Sequence, residues 1–441
     1  MKNRIDLTTG DITKTLIRLA SPIMATSMIQ MLYNITDQLW LGRFSTEAVA
    51  GSGVVGFLLW GGASLSMISS VGTGVNLARS VGEKDYDKAG KYVSSSIFLS
   101  GATGLFFIGL CLISIEYFLN AFNLKSSDAY FHAKEYFNYV MFGEIFQFFN
   151  ILFASIFNSY GKSSLPFKIT SLGLVVNMVL DPLLIFTFGM GTKGAAIATV
   201  VAKLVVFGLF LMVCRKEERL FAGLSLPEFK FLKDIVKIGL PTAMHSLLFA
   251  LVNTTLSQMM SRWGPKPIAA QSIGTQIESI SWMSAEGFST AITAFVAQNH
   301  GAGDKDRMVG GYKSGLKILM PVGFISMILL FTFGNEIFAI FTPKDPEAIA
   351  FGARYLYITA FSQAFMTLEG ASAGFINGVG KTYISSANGI SLNLLRIPLA
   401  AFLIRTGLGH EGIWWAMCLS SILKGTVMFL FSLREVRKVR A

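Results

Sequence analysis

An all-α integral membrane fold, with twelve transmembrane helices in two pseudo-symmetric six-helix bundles, is predicted by three features of this sequence. Apolar stretches of roughly 20 residues, long enough to cross a bilayer, recur along the whole chain. The composition is 52% hydrophobic and 14% charged, with a mean hydropathy of +0.56. That leaves too little polar surface to cover a soluble core of 441 residues. The third feature is an internal repeat offset by about 220 residues.

The apolar spans read in order as 15–41, 48–77, 90–116, 130–158, 166–189, 192–214, 235–261, 267–298, 310–334, 347–377, 383–405 and 411–433. The opening segment carries Lys2, Arg4, Lys14 and Arg18, with no small-residue cleavage site after a short apolar core. The first span is therefore expected to stay in the chain and not to leave as a signal peptide. The net charge of +11 is unevenly spread. With the N-terminus placed inside, one side gathers Lys84, Lys88, Lys91, Lys162, Lys168, Arg215, Lys216, Arg219, Lys305, Arg307, Lys381 and the tail Arg434, Arg437, Lys438 and Arg440. The other holds Arg43, Lys125, Lys193, Arg262, Lys266, Lys344 and Arg405. This is the positive-inside pattern, so both termini are expected to be cytoplasmic in a multi-pass plasma (inner) membrane protein. It explains the basic excess through the lipid bilayer, with no nucleic-acid partner.

Cys111, Cys214 and Cys418 lie in or beside spans without paired spacing and read as small packing residues. His132, His245, His300 and His410 match no metal motif. His245, inside a span, reads as a packing or hydrogen-bonding residue that is also able to titrate.

The repeat divides the chain into lobes 1–218 and 219–441. "LASPIMA" (19–25) answers to "IGLPTAM" (238–244), placing Pro22 opposite Pro241. "VAGS" (49–52) answers to "AAQS" (269–272), and "VGEKDYDKAG" (81–90) to "GAGDKDRMVG" (301–310). "NSYGKS" (158–163) answers to "NGVGKT" (377–382), and "NMVLDP" (177–182) to "NLLRIP" (393–398). An even number of spans per copy gives both copies one orientation, related by a pseudo-two-fold along the membrane normal. Two such bundles suit alternating access around a mid-membrane site.

An acid in the hydrocarbon core costs roughly 2.5–3.5 kcal/mol on insertion scales and normally faces a wet cavity or a partner. In span 1, Gln30, Tyr33, Asn34 and Asp37 fall at i, i+3, i+4 and i+7, one helical face. In span 5, Asn177 and Asp181 share a face, and Pro182 frees a carbonyl near Met178. Span 6 adds Thr199 among small residues that permit close helix approach. Two carboxylates, an amide oxygen and a hydroxyl are hard oxygen ligands. They suit Na⁺ and equally a shared proton, because neighbouring carboxylates resist ionising together. The second copy has Leu256 and Ile397 where the first has Asp37 and Asp181, so the acids mark a function of the first lobe and not a need of the fold.

The second lobe carries Glu278 and Glu286 on span 8, Glu369 on span 10 and Arg396 on span 11. An internal Glu–Arg pair and a cation-binding role are both open to them. Lys203 and Lys424 are expected to snorkel to the membrane interface. The sequence contains no H-E-x-x-H, no G-x-S-x-G and no Cys/His cluster, so an enzyme is not expected, and neither is a cofactor beyond the coupling ion.

With these residues in view, the whole chain resembles the multidrug and toxic compound extrusion (MATE) transporters of bacteria. The resemblance rests on the six-plus-six plan, the Pro22…Asp37 spacing, the "GEKDYDKAG" and "GAGDKDRMVG" loops, and "NMVLDP" followed by Thr199. It implies antiport: a monomer that exports amphiphilic or cationic organic compounds, antibiotics among them, in exchange for H⁺ or Na⁺. Asp37, Asn177, Asp181 and Thr199 match the family's cation site and Pro22 its span 1 bend. Gln30 and Tyr33, with Asn34 and Asn150 beside them, are the positions expected to line a substrate cavity. The family's span 4 asparagine falls at Ala154, with Asn150 one turn before and Asn158 one turn after. A flippase for a lipid-linked saccharide shares the plan and is the alternative. Its pyrophosphate cargo calls for several cleft-facing cations, and here only Arg396, Lys203 and Lys424 are available.

Overall fold

A computed structural model describes residues 4–121, 128–216, 221, 225–343 and 345–440. Lys2, Lys125, Arg219 and Lys344 of the charge pattern, and the 218/219 boundary, lie outside the described residues. Among those described, every regular element is helical.

The chain forms two compact units, and the first helix of each repeat is shared between them. Unit 1 comprises Met1–Ile5 with Ala25–Ala243; unit 2 comprises Asp6–Met24 with Met244–Ala441. Two of the three changes of membership fall two residues beyond a proline inside a helix, Pro22 in α1 (Ile12–Phe44) and Pro241 in α7 (Phe229–Met260).

Between them run α2 (Thr46–Gly82), α3 (Tyr86–Ala121), α4 (Asp128–Ser159), α5 (Ser164–Pro182) and α6 (Gly191–Cys214). After α7 come α8 (Pro265–Gly301), α9 (Lys305–Thr332), the short α10 (Gly334–Phe341), α11 (Pro346–Ala360), α12 (Gln363–Gly378), α13 (Thr382–Leu394), α14 (Arg396–Leu403) and α15 (Glu411–Arg440). Among the described residues, ten helical segments are long and apolar enough to cross a membrane. Predicted span 8 corresponds to α8, which has 37 residues but is diluted by Gln271, Gln276, Glu278 and several serines. Predicted span 10 is two helices, α11 and α12, interrupted at Phe361 and Ser362. Beyond Pro182 the chain continues as a π turn, Leu183–Thr187, and a second π turn, Ile404–Leu408, follows α14.

Small residues set the helix spacing within each unit. In unit 1 a Cβ at Gly51 of α2 would stand 2.6 Å from the Ala129 carbonyl oxygen, and one at Gly74 2.8 Å from Ser155 Oγ of α4. In unit 2 α12 presents Gly370, Gly374 and Gly378 at four-residue spacing to α8. A Cβ at Gly374 would meet the Ser289 oxygen at 2.7 Å, and one at Gly378 the Val296 Cβ at 2.6 Å. Without a hydrophobic drive between helices in lipid, such contacts hold the backbones together.

The repeat survives in the turns. Gly161 and Gly380 both take positive φ, 86° and 89°, and donate to Asn158 and Asn377 respectively. Lys84 (φ 60°) pairs with Gly303 (φ 76°), and Asp85 with Asp304, each aspartate accepting from the backbone N–H three residues on. The two loops are therefore offset by 219 residues, one fewer than the alignment of 81–90 with 301–310 implies.

Candidate cation-binding site

Unit 1 brings the four predicted ligands together. Across one turn of α5, Asn177 Nδ2 donates to Asp181 Oδ1 at 3.1 Å. From α6, Thr199 Oγ1 donates to Asp37 Oδ2 of α1 at 3.2 Å. The Asp37 and Asp181 carboxyl groups are near enough to act on each other through their charge, and Asn177 lies beside both. Asn177, Asp181 and Thr199 are buried, and Asp37 is half-buried with its Oδ1 enclosed. Tyr33, one turn before Asp37, donates to the Thr199 carbonyl at 3.4 Å, and Tyr136 of α4 stands close to the Thr199 hydroxyl.

The donor and acceptor balance of this cluster is unequal. Each carboxylate receives one neutral donor, a hydroxyl or an amide. Asp37 Oδ1, Asp181 Oδ2 and Asn177 Oδ1 are buried with no hydrogen-bond partner among the described residues. Buried acceptors left in that state each cost about 1–3 kcal/mol. A proton shared by the two acids, or a small cation held by oxygens, satisfies them together.

The nearby cation does not do so. Lys203 of α6 acts on Asp37 through its charge, yet its Nζ sits 2.6 Å from Glu144 Oε1 of α4. Glu144 is only 1% exposed, so this is an ion pair inside the unit. The snorkelling expected of Lys203 is therefore corrected: a buried acid holds it one turn from Thr199. Lys424 is corrected in the same way, buried and 3.2 Å from Glu369. Sequence reading missed Glu144 and Tyr136. The available signal was an acid in the apolar run of α4 with one lysine, also intramembrane, to neutralise it.

The remaining candidates are more dispersed. Gln30 and Asn34 are exposed, while Asn150 is buried and donates its Nδ2 to the Lys203 carbonyl at 3.0 Å, propping α6 from α4. Pro22 lies inside α1 in the stretch belonging to unit 2. In unit 2, Arg396 donates to Ser420 Oγ at 2.8 Å and Ser421 Oγ at 3.0 Å, and Glu369 pairs with Lys424, so the direct partners are not those of an internal Glu–Arg pair, one of the two readings left open. Glu278 is buried near Tyr355, Thr359 and Gln363. His245 meets Asn393 at 3.2 Å and packs so closely on α13 that a Cβ at Gly389 would stand 2.3 Å from its Nε2. The three cysteines are buried.

The MatE family model matches residues 22–183 and again 241–402, one match per repeat. A probable multidrug resistance protein NorM from Thermotoga maritima is 29% identical over 98% of this chain and 94% of its own. An FAD transporter from Shewanella oneidensis is 24% identical over 100% of this chain and 99% of its own. The solved outward-facing conformation of a multidrug resistance MATE family transporter of the MOP superfamily superposes with a TM-score of 0.93. It shares 22% identity and covers 100% of this chain and 99% of that one. With both repeats matched and the fold shared end to end, this chain belongs to the MatE family of bacterial membrane transporters.

Proposed function

We propose that this transporter exports amphiphilic and cationic organic compounds from the cell in exchange for H⁺ or Na⁺. The coupling ion is held by Asp37, Asn177, Asp181 and Thr199. The observation that carries this reading is the group of three buried oxygens, on two acids and an amide, that no hydrogen-bond donor among the described residues reaches. The name of the Thermotoga relative, a probable multidrug resistance protein, supports the cargo class.

In the working cycle, twelve spans form two six-helix lobes that alternate access across the plasma membrane, with both termini cytoplasmic and the monomer as the unit. With the acids empty, their charge favours a cationic cargo beside Tyr33, Gln30 and Asn34. A proton or Na⁺ arriving from outside cancels that charge, α1 bends near Pro22, and the cargo is released. The ion moves this equilibrium only by its differential affinity for the two states. The flippase alternative is weakened because Lys203 and Lys424 are each committed to a glutamate, leaving Arg396 without the basic cluster a pyrophosphate requires.

Proteoliposome export of a fluorescent organic cation, with Na⁺ and pH gradients imposed separately, tests the reading. Wild type is expected to accelerate under at least one gradient, and Asp37→Asn to lose that acceleration. Equal export by Asp37→Asn and wild type under both gradients contradicts it. Export of FAD in place of the cation would reassign the cargo.

A further inference from the structure

Where the basic end of α15 meets two turns of unit 2, a cavity of about 410 Å³ opens that has no part in the cation site. His300 lines it from the last turn of α8, Gly303 from the turn that follows, Lys305 from the start of α9, Lys381 from the 379–381 turn, and Glu435 and Lys438 from α15. Three lysines thus face one glutamate. Glu435 is buried and already bridges two of them, accepting from Lys381 and from Lys438 Nζ, the latter at 2.8 Å. Asp304, between the lining residues Gly303 and Lys305 in the chain, is engaged in capping α9, where it accepts from the Arg307 N–H. The cavity therefore keeps an excess of positive charge that its own acids leave uncancelled.

The repeat provides an internal comparison. In unit 1 the matching turn is filled by the chain itself. Arg4 donates to the Tyr160 carbonyl at 3.2 Å and lies 4.3 Å over the Tyr160 ring, and the Ile5 N–H donates to the Gly161 carbonyl at 2.9 Å. In unit 2 Val379 stands in place of Tyr160, Lys381 matches Lys162, and the turn borders the open cavity.

We propose that this cavity binds the phosphate headgroup of an anionic phospholipid. Basic pockets between the ends of membrane helices hold such headgroups by charge and hydrogen bonding. Phe431, Glu435 and Lys438 are four and seven residues apart and share a face of α15. Phe431 and its neighbours Leu430 and Leu433 are exposed, providing apolar surface for an acyl chain next to the charges. A soluble phosphate uses none of that surface, so the lipid is the occupant assigned.

The test is native mass spectrometry of the full-length protein in detergent, titrated with phosphatidylglycerol, phosphatidylcholine or inorganic phosphate. Wild type is expected to retain phosphatidylglycerol in preference to phosphatidylcholine. The Lys305→Gln/Lys438→Gln variant changes two exposed side chains outside the cation site. It should bind phosphatidylglycerol about 30-fold more weakly, with phosphatidylcholine unchanged. Equal retention of the two lipids by wild type, or unchanged phosphatidylglycerol binding by the variant, overturns the proposal. Displacement of phosphatidylglycerol by equimolar inorganic phosphate overturns the lipid assignment in favour of a soluble anion. The readout is binding alone, so its outcome is independent of the transport reading.

Discussion

Lys84 holds a φ of 60° in the turn between α2 and α3, where the second repeat uses Gly303. A side chain in the left-handed region costs roughly 1–2 kcal/mol, which glycine avoids. Lys84→Gly should therefore raise the unfolding free energy by about 1 kcal/mol in a denaturant titration. Lys84→Ala, which keeps the strain, should not. At the same scale, Lys203 and Glu144 neutralise each other inside unit 1. Lys203→Met strands a buried carboxylate and should cost about 3–5 kcal/mol. The Lys203→Met/Glu144→Gln double variant removes both charges and should recover most of the loss. Thermal melts of the three proteins decide it, and a double variant as unstable as the single one rules out charge pairing as the cause.

At the scale of the helix, the stripe of Gly370, Gly374 and Gly378 lets α12 lie against α8, the helix that carries Glu278 and Glu286. A valine at Gly374 would drive its Cβ into the Ser289 carbonyl and should cost about 1–3 kcal/mol through overpacking. Gly53 of α2, exposed and with nothing within 4 Å of its missing Cβ, is the control, and Gly53→Val should leave the melting temperature unchanged. α5 and α6 serve the cation site similarly. Asn177 and Asp181 meet because they are one turn apart, and Thr199 reaches Asp37 from a helix whose neighbouring Ala195, Ala196 and Ala198 are all buried.

Across the whole molecule, what the sequence revealed and what it hid have separate physical causes. Apolar length located the helices because a span must bury its backbone in lipid, and periodicity placed Asn177 beside Asp181 because that relation is local to one helix. The repeat was legible since turns that need positive φ preserve their glycines, as at Gly161 and Gly380. Long-range pairing was not legible. The α4 and α6 sequences each offer an intramembrane charge but no local relation that joins Lys203 to Glu144, and hydropathy cannot tell which unit half a helix joins at Pro22 or Pro241. The break between α11 and α12 was hidden as well, because Phe361 is as apolar as a continuous helix would require.

The central claim, that the carboxyls of Asp37 and Asp181 exchange a cation for cargo, is tested most directly by ion release from the purified protein in detergent. A saturating organic cation is added to the transporter in weak buffer, and liberated protons or displaced radioactive Na⁺ are counted. Wild type should release one of the two ions on binding, and Asp37→Asn/Asp181→Asn, which mimics the neutralised acids, should bind the compound more weakly and release neither. Release from that double variant equal to wild type would place the exchange elsewhere in the molecule.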